Sequence, residues 1–178
     1  MMGLFKSKAE KQEERLFELY KDTFEKPQLP APRPMTSYAD YEGQAESVLQ
    51  NVGLDIDVRT MSDVQGGMEF MCNVAKVQLS VRQNKVPVLA LKAFELDSQQ
   101  YFKPMNIYIS PSGFEPDAIQ YAYSANLILL QMTEDGRVGG VTKSGMMLLL
   151  MGTRSMLWGH EYGPELHYRI FKYMYPNL

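Results

Sequence analysis

A lysine and a glutamate, each set in an apolar stretch, are the residues of this chain best suited to chemistry. Lys92 stands within Val86 to Phe94 (VPVLALKAF), and Glu69 follows Gly66-Gly67-Met68 at the head of another apolar run. The Val, Leu and Ala content of VPVLALKAF, led in by Pro87, predicts a buried strand. An ammonium in such a strand costs several kcal/mol unless it is paired. Glu69 would supply the partner if the two strands are neighbours. A structural ion pair, or a lysine whose head snorkels to water, accounts for the same residues.

Other reactive residue types fall into weaker patterns. His160-Glu161 with Glu165 and His167 is not H-E-x-x-H, and Gly163-Pro164 interrupts the helix that would bring those side chains onto one face. GGVTKSG around Lys143 lacks the phosphate-loop spacing and reads as a turn. Ser112 has no histidine at motif spacing. The single cysteine, Cys72, excludes an intramolecular disulfide and a cysteine zinc cluster, and reads as a small core residue.

The elements that must position these residues can be read in chain order. Lys6 to Phe24 is helical in composition, with Leu16, Leu19, Tyr20 and Phe24 forming an apolar stripe, so residues 1–26 are expected to form an arm that docks on a partner or on the chain itself. Met2-Gly3 with Ser7 fits an acylation pattern only if translation begins at Met2. Four prolines between Lys26 and Pro34 predict an extended linker over residues 27–36. Ser37 or Asp40 then caps a helix that runs to about Asn51 and stops at Gly53. Leu54 to Thr60 alternates as a strand, Ser62 to Gly67 is a turn, and Met68 to Val81 and Val86 to Phe94 follow as two more strands. Asn106 to Ser110, Glu115 to Ala125 and Asn126 to Met132 read as a strand, helix, strand crossover, which demands two parallel strands in one sheet. The fold class is therefore α/β (α+β), a mixed central sheet flanked by helices, with a core over residues 37–135. Residues 136–178 are expected to be an extension rich in aromatics that packs on the core or a partner.

With 178 residues and 45% hydrophobic content the chain can bury one proper core. Gly145 to Trp158 is too short to span a membrane and carries Arg154, and no leader pattern opens the sequence, so a cytoplasmic location is expected. A net charge of −3 and a pI near 5.5 exclude a protein that coats nucleic acid non-specifically. The later chain is nonetheless basic, and Lys143, Arg154, Arg169 and Lys172 are candidates for a nucleic-acid or partner surface.

Taken together, the helix with Tyr41-Glu42, the Gly-Gly-Met-Glu turn and strand, Ala90-Leu91-Lys92, and IYISPSGFEPDAIQYA resemble, over Tyr38 to Met132, the restriction-endonuclease-like PD-(D/E)xK superfamily, in particular its Mrr-type branch. In such enzymes carboxylates on neighbouring strands hold a divalent cation, magnesium by preference for oxygen ligands, and a lysine orients or deprotonates the attacking water. The resemblance implies Glu42 as the helix carboxylate, Glu69 as the first metal ligand and Lys92 as the catalytic lysine. Ala90 would occupy the second ligand position, and it has no ligating side chain. The expectation is thus a pseudo-nuclease, a catalytically degenerate domain acting as a nucleic-acid-associated (DNA or RNA) or assembly subunit. It would meet a protein partner, or a second copy of itself, through the N-terminal helix or the C-terminal extension. The alternatives are an active magnesium-dependent nuclease whose missing ligand has moved, to Glu95 or Asp97, and a purely structural protein-interaction module with no cofactor.

Overall fold

A computed structural model describes residues 5–62 and 67–178. The α+β expectation holds, with a six-stranded mixed sheet and six α-helices among the described residues. The chain starts with α1 (Lys8–Tyr20) and crosses an extended proline segment to α2 (Tyr38–Asn51). Three antiparallel strands come next, β1 (Ile56–Ser62), β2 (Gly67–Cys72) and β3 (Ala75–Leu79). Helix α3 (Val88–Gln99) carries the chain to β4 (Met105–Ser110), parallel to β3, and α4 (Pro116–Ser124) carries it to β5 (Ile128–Met132), parallel to β4. The short β6 (Val138–Gly140) closes the sheet antiparallel to β5, so spatial order equals chain order. Two helices, α5 (Lys143–Tyr162) and α6 (Pro164–Met174), end the fold.

Two sequence expectations need correction. Met68 to Val81 is not one strand but the β2–β3 hairpin, folded at Asn73-Val74. Val86 to Phe94 is mostly helix rather than strand. Pro87 is the N-cap of α3, and Ala90, Leu91, Phe94 and Ser98 bury one helical face while Leu89, Lys92 and Leu96 stay exposed. Proline fits a helix start, and Ala, Leu, Lys and Glu after it are strong helix formers. Of the turn expected over Ser62 to Gly67, the end residues belong to β1 and β2 and residues 63–66 lie outside the described residues, as do residues 1–4 of the acylation-type start.

The sheet separates two apolar layers. On one side Val48 and Leu49 of α2 and Leu148 of α5 pack with Phe70, Val77, Leu79, Ile107, Ile109 and Leu130. On the other, α3 and α4 cover Tyr108 and Leu129 through Leu91, Phe94 and Ala118. A third cluster joins Phe17 of α1 to Trp158 of α5 and Ile170 of α6, so the arm's apolar stripe is covered by the chain's own C-terminal helices. The proline segment is pinned along its length. Met35 N–H donates to the Glu134 carbonyl at 2.8 Å, and the buried Gln44 amide donates to Gly136 (2.9 Å) and Ala31 (3.3 Å).

Candidate functional site

Strand alternation sets the polar residues of β2 and β3. Met68, Phe70 and Cys72 point into the α2-side core, which turns Glu69 and Met71 to the α3 side. On β3, Ala75, Val77 and Leu79 enter the same core, which turns Lys76, Gln78 and the following Ser80 to the α3 side. Glu69 and Gln78 are direct register partners. Gly67 (φ +146°) begins β2 against Leu79, where a Cβ would lie 1.9 Å from the Leu79 carbonyl oxygen. Only glycine admits that approach.

The lysine of this face is Lys76, not Lys92. Its side chain is wholly buried, hydrogen-bonded to Asp97 of α3 and 3.5 Å from Glu69 Oε1. Its ammonium also lies 4.7 Å from the Tyr101 ring centroid and 5.7 Å from that of Phe94. Burial lowers the Lys76 pKa from its ordinary value, opposed by the charge of Glu69. Gln100 donates to the other Asp97 oxygen at 2.7 Å. An ammonium ringed by two carboxylates and two aromatic faces ties β2, β3 and α3 together.

Beside this cage lie two buried amide oxygens without a protein partner, those of Gln78 and Asn106. The Gln78 amide donates to the Leu79 carbonyl at 3.1 Å, while its Oε1, fully buried, has no protein partner. Asn106, the β4 partner of Lys76, likewise leaves a buried Oδ1 unpaired. Arg82 Nε donates to Ser80 Oγ at 3.0 Å. Burial raises the Tyr108 pKa, countered by a Ser80 hydrogen bond and by Arg82. This face can therefore offer a cation one carboxylate, Glu69, and the amide oxygen of Gln78, both hard oxygen donors. Among the described residues no three His, Cys, Asp or Glu side chains gather for a metal.

The other predicted residues lie elsewhere. Lys92 is exposed on α3, its ammonium 5.4 Å from the Tyr121 ring centroid, and Ala90 is buried in the helix layer beneath it. The expected strand pairing of Lys92 with Glu69 does not exist. Asp97, named above as an alternative ligand, is engaged by Lys76, and Glu95 accepts a hydrogen bond from Tyr121. Glu42 sits on the α2 side in the field of Arg59, whose register partner Phe70 faces the opposite side of the sheet from Glu69. Arg59 itself pairs with Glu46.

The four basic candidates do not share one role. Arg169 pairs with Glu13 at 3.7 Å and lies 4.1 Å from the Phe17 ring centroid, and Arg154 donates to the Thr23 carbonyl at 3.3 Å, so both hold the arm. Lys172 donates to the Leu178 carbonyl, and Lys143 is exposed at the start of α5.

His160 and His167, separated in sequence by the Gly163 break, line one cleft of about 200 Å³ because α6 folds back on α5. Burial and Lys143 lower the His167 pKa.

Lys76 and Gln78 were hidden in sequence by the apolar residues around them. Their signal was Asn73, a turn former between two short alternating runs. No helix among the described residues is long and apolar enough to cross a membrane. Compared with known proteins, the chain matches no family model, no curated protein and no solved structure.

Proposed function

We propose that this chain is a restriction-endonuclease-like domain whose cleavage chemistry has lapsed, serving as a nucleic-acid-associated or assembly subunit. Support comes first from element order. A helix, a three-stranded meander with a glutamate on its second strand, and two strand, helix, strand crossovers follow one another. Under this reading the acid-or-Gln-x-Lys motif corresponds to Gln78-Leu79-Ser80, because Gln78 stands across from Glu69. Ala90 and Lys92 leave the argument, being on α3.

The observation that carries the reading is the fate of the lysine. Ser80 stands where the motif needs an amine, and Lys76, four residues earlier on the same face, is sealed from solvent by Asp97, Glu69, Tyr101 and Phe94. A lysine that activates water must reach it, and this one is held as a structural cation. Glu69, the remaining carboxylate, spends part of its charge on that cation.

A second reading has one observation in its favour. The unpartnered Gln78 Oε1 opposite Glu69 has the hard-oxygen donor chemistry that an active magnesium-dependent nuclease would require of a ligand. Titration calorimetry with magnesium and manganese on wild type, Glu69→Ala and Gln78→Glu separates the two, followed by cleavage assays on single- and double-stranded DNA and RNA with wild type and Ser80→Lys. The lapsed-site reading expects nucleic acid to be bound at low salt without cleavage, and metal affinity to rise in Gln78→Glu. Metal-dependent cleavage by wild type, lost in Glu69→Ala, would overturn it in favour of the active enzyme. Absence of nucleic-acid binding at low salt would leave only the structural module.

A further inference from the structure

A cavity of about 640 Å³ lies on the α2 side of the sheet, where the end of the arm, the C-terminus of α2 and a break in α5 meet. Gly152 causes that break. Its backbone (φ +81°, ψ 171°) is not helical, so α5 stops and restarts as a second segment over 153–162. A restarted helix presents its first-turn amides and the positive end of its dipole. The Thr153 amide is taken by the Val52 carbonyl at 2.7 Å, which fixes the new helix start against the end of α2.

The side chains at this start point to a ligand. Thr153 lines the cavity, is 4% exposed, and its Oγ1 has no protein partner. Leaving a buried hydroxyl without a partner is destabilising, so a fold that keeps one on a cavity wall at a helix start has a use for it. Arg154 and Lys26 also line the cavity against one carboxylate, Glu25. The Arg154 guanidinium is positioned from the arm side, donating to Thr23 O at 3.3 Å with its Cζ 5.6 Å from the Phe24 ring centroid. A guanidinium, a helix start and a free hydroxyl together suit a phosphate. The rest of the wall, with the amides of Gln28, Gln50 and Asn51, offers hydrogen bonds to an organic body, and the volume falls within the roughly 300–1,000 Å³ of small-molecule sites.

We propose that the cavity at the α5 break binds a phosphate monoester of nucleotide size, with the phosphate at Thr153 and Arg154 and the organic body against Phe24 and the amides. This site is separate from Glu69, which faces α3 across the sheet. It does not depend on how the Glu69 face is read.

Titration calorimetry on the full chain tests it, using the four nucleoside 5′-monophosphates, glucose 6-phosphate, adenosine and inorganic phosphate as probes. At least one monoester is expected to bind more tightly than inorganic phosphate, with adenosine silent. Thr153→Val and the exposed Arg154→Gln should each weaken that monoester about tenfold or more, while Glu69→Ala leaves it unchanged. Which monoester binds distinguishes a nucleotide from a sugar phosphate. The proposal is overturned if no monoester binds at about 5 mM, if inorganic phosphate binds as tightly as the monoesters, or if both variants, shown folded by circular dichroism, retain wild-type affinity.

Discussion

Lys76 shows how a charged side chain can be more a joint than a reagent. Its ammonium lies against the Phe94 and Tyr101 rings and holds carboxylates from β2 and α3. Removing it leaves Glu69 without its cation and opens a void in a wholly buried position. Asp97 is 39% exposed at its side chain, so solvent screens part of its loss. Lys76→Ala is expected to cost about 2–4 kcal/mol, with Lys76→Met, which keeps the stem, costing less. Urea denaturation decides it, and a Lys76→Ala midpoint equal to wild type would remove the structural role argued for this lysine. Glu69 was legible from sequence as a carboxylate on an apolar strand. Its true partner was not, because buried Lys76 sits among Ala75, Val77 and Leu79 with nothing in composition to mark it.

Legibility at the scale of elements followed the strength of local signals. Helix α2 begins as its sequence predicts, with a reciprocal capping box between Ser37 and Asp40. The β4, α4, β5 crossover also stands where Pro116 and the apolar alternation put it. Helix α3 was misread because a short apolar run satisfies both periods, and only the tertiary layer above Tyr108 decides between them. The capping box gives a test of local stability. Ser37→Ala is expected to cost about 1 kcal/mol, and equal urea midpoints would argue against the cap. Asp40 adds a pH dependence. Donors from Thr36 and Ser37 hold its pKa down from 3.8 to about 2. The native state therefore binds this proton less tightly than the unfolded chain does. The resulting stability is complete above the ordinary value and disappears as pH falls through the native one. Asp40→Ala should be less stable than wild type at neutral pH, and the two should converge on acidification toward pH 2. A gap that stays constant across the acid limb would contradict this account. The break in α5 rests on Gly152, whose φ of +81° with ψ 171° is a glycine region. Gly152→Ala is expected to cost about 1–3 kcal/mol, since its Cβ would also press on Val52 O at 3.3 Å and Pro27 at 3.4 Å. Thermal unfolding with no loss in this variant would mean that the break relaxes into continuous helix.

On the scale of the whole molecule, the arm and the extension are two halves of one layer. An isolated helix of 13 residues is marginal in water, so α1 must draw its order from what it touches. It touches α5 and α6. Phe17 is buried between them, with its ring 5.7 Å from that of Tyr173, and Tyr20 and Phe24 meet the edge of Trp158 at 4.4 and 5.2 Å. One ion pair lies on the same seam, where Glu13 of the arm meets Arg169 of α6. The aromatics that could have formed an open stacking platform are therefore largely spent on this docking, although Tyr162, Tyr168 and Tyr173 keep exposed surface. An arm held in cis makes a definite demand on the unfolding curve. Phe17→Ala removes a ring from a closed apolar cluster and should cost about 3 kcal/mol, lowering the urea midpoint with an unchanged slope, because the surface exposed on unfolding barely changes. Deleting residues 1–26 should do more, baring Trp158, Ile170 and Phe171 and producing dye-binding apolar surface that a synthetic peptide of residues 5–26, added in trans, covers again. An arm that instead serves a separate partner would leave the Phe17→Ala midpoint where it was and the truncated chain free of dye. The two roles make opposite demands on the same pair of experiments, because an apolar stripe of this size can be buried by only one surface at a time.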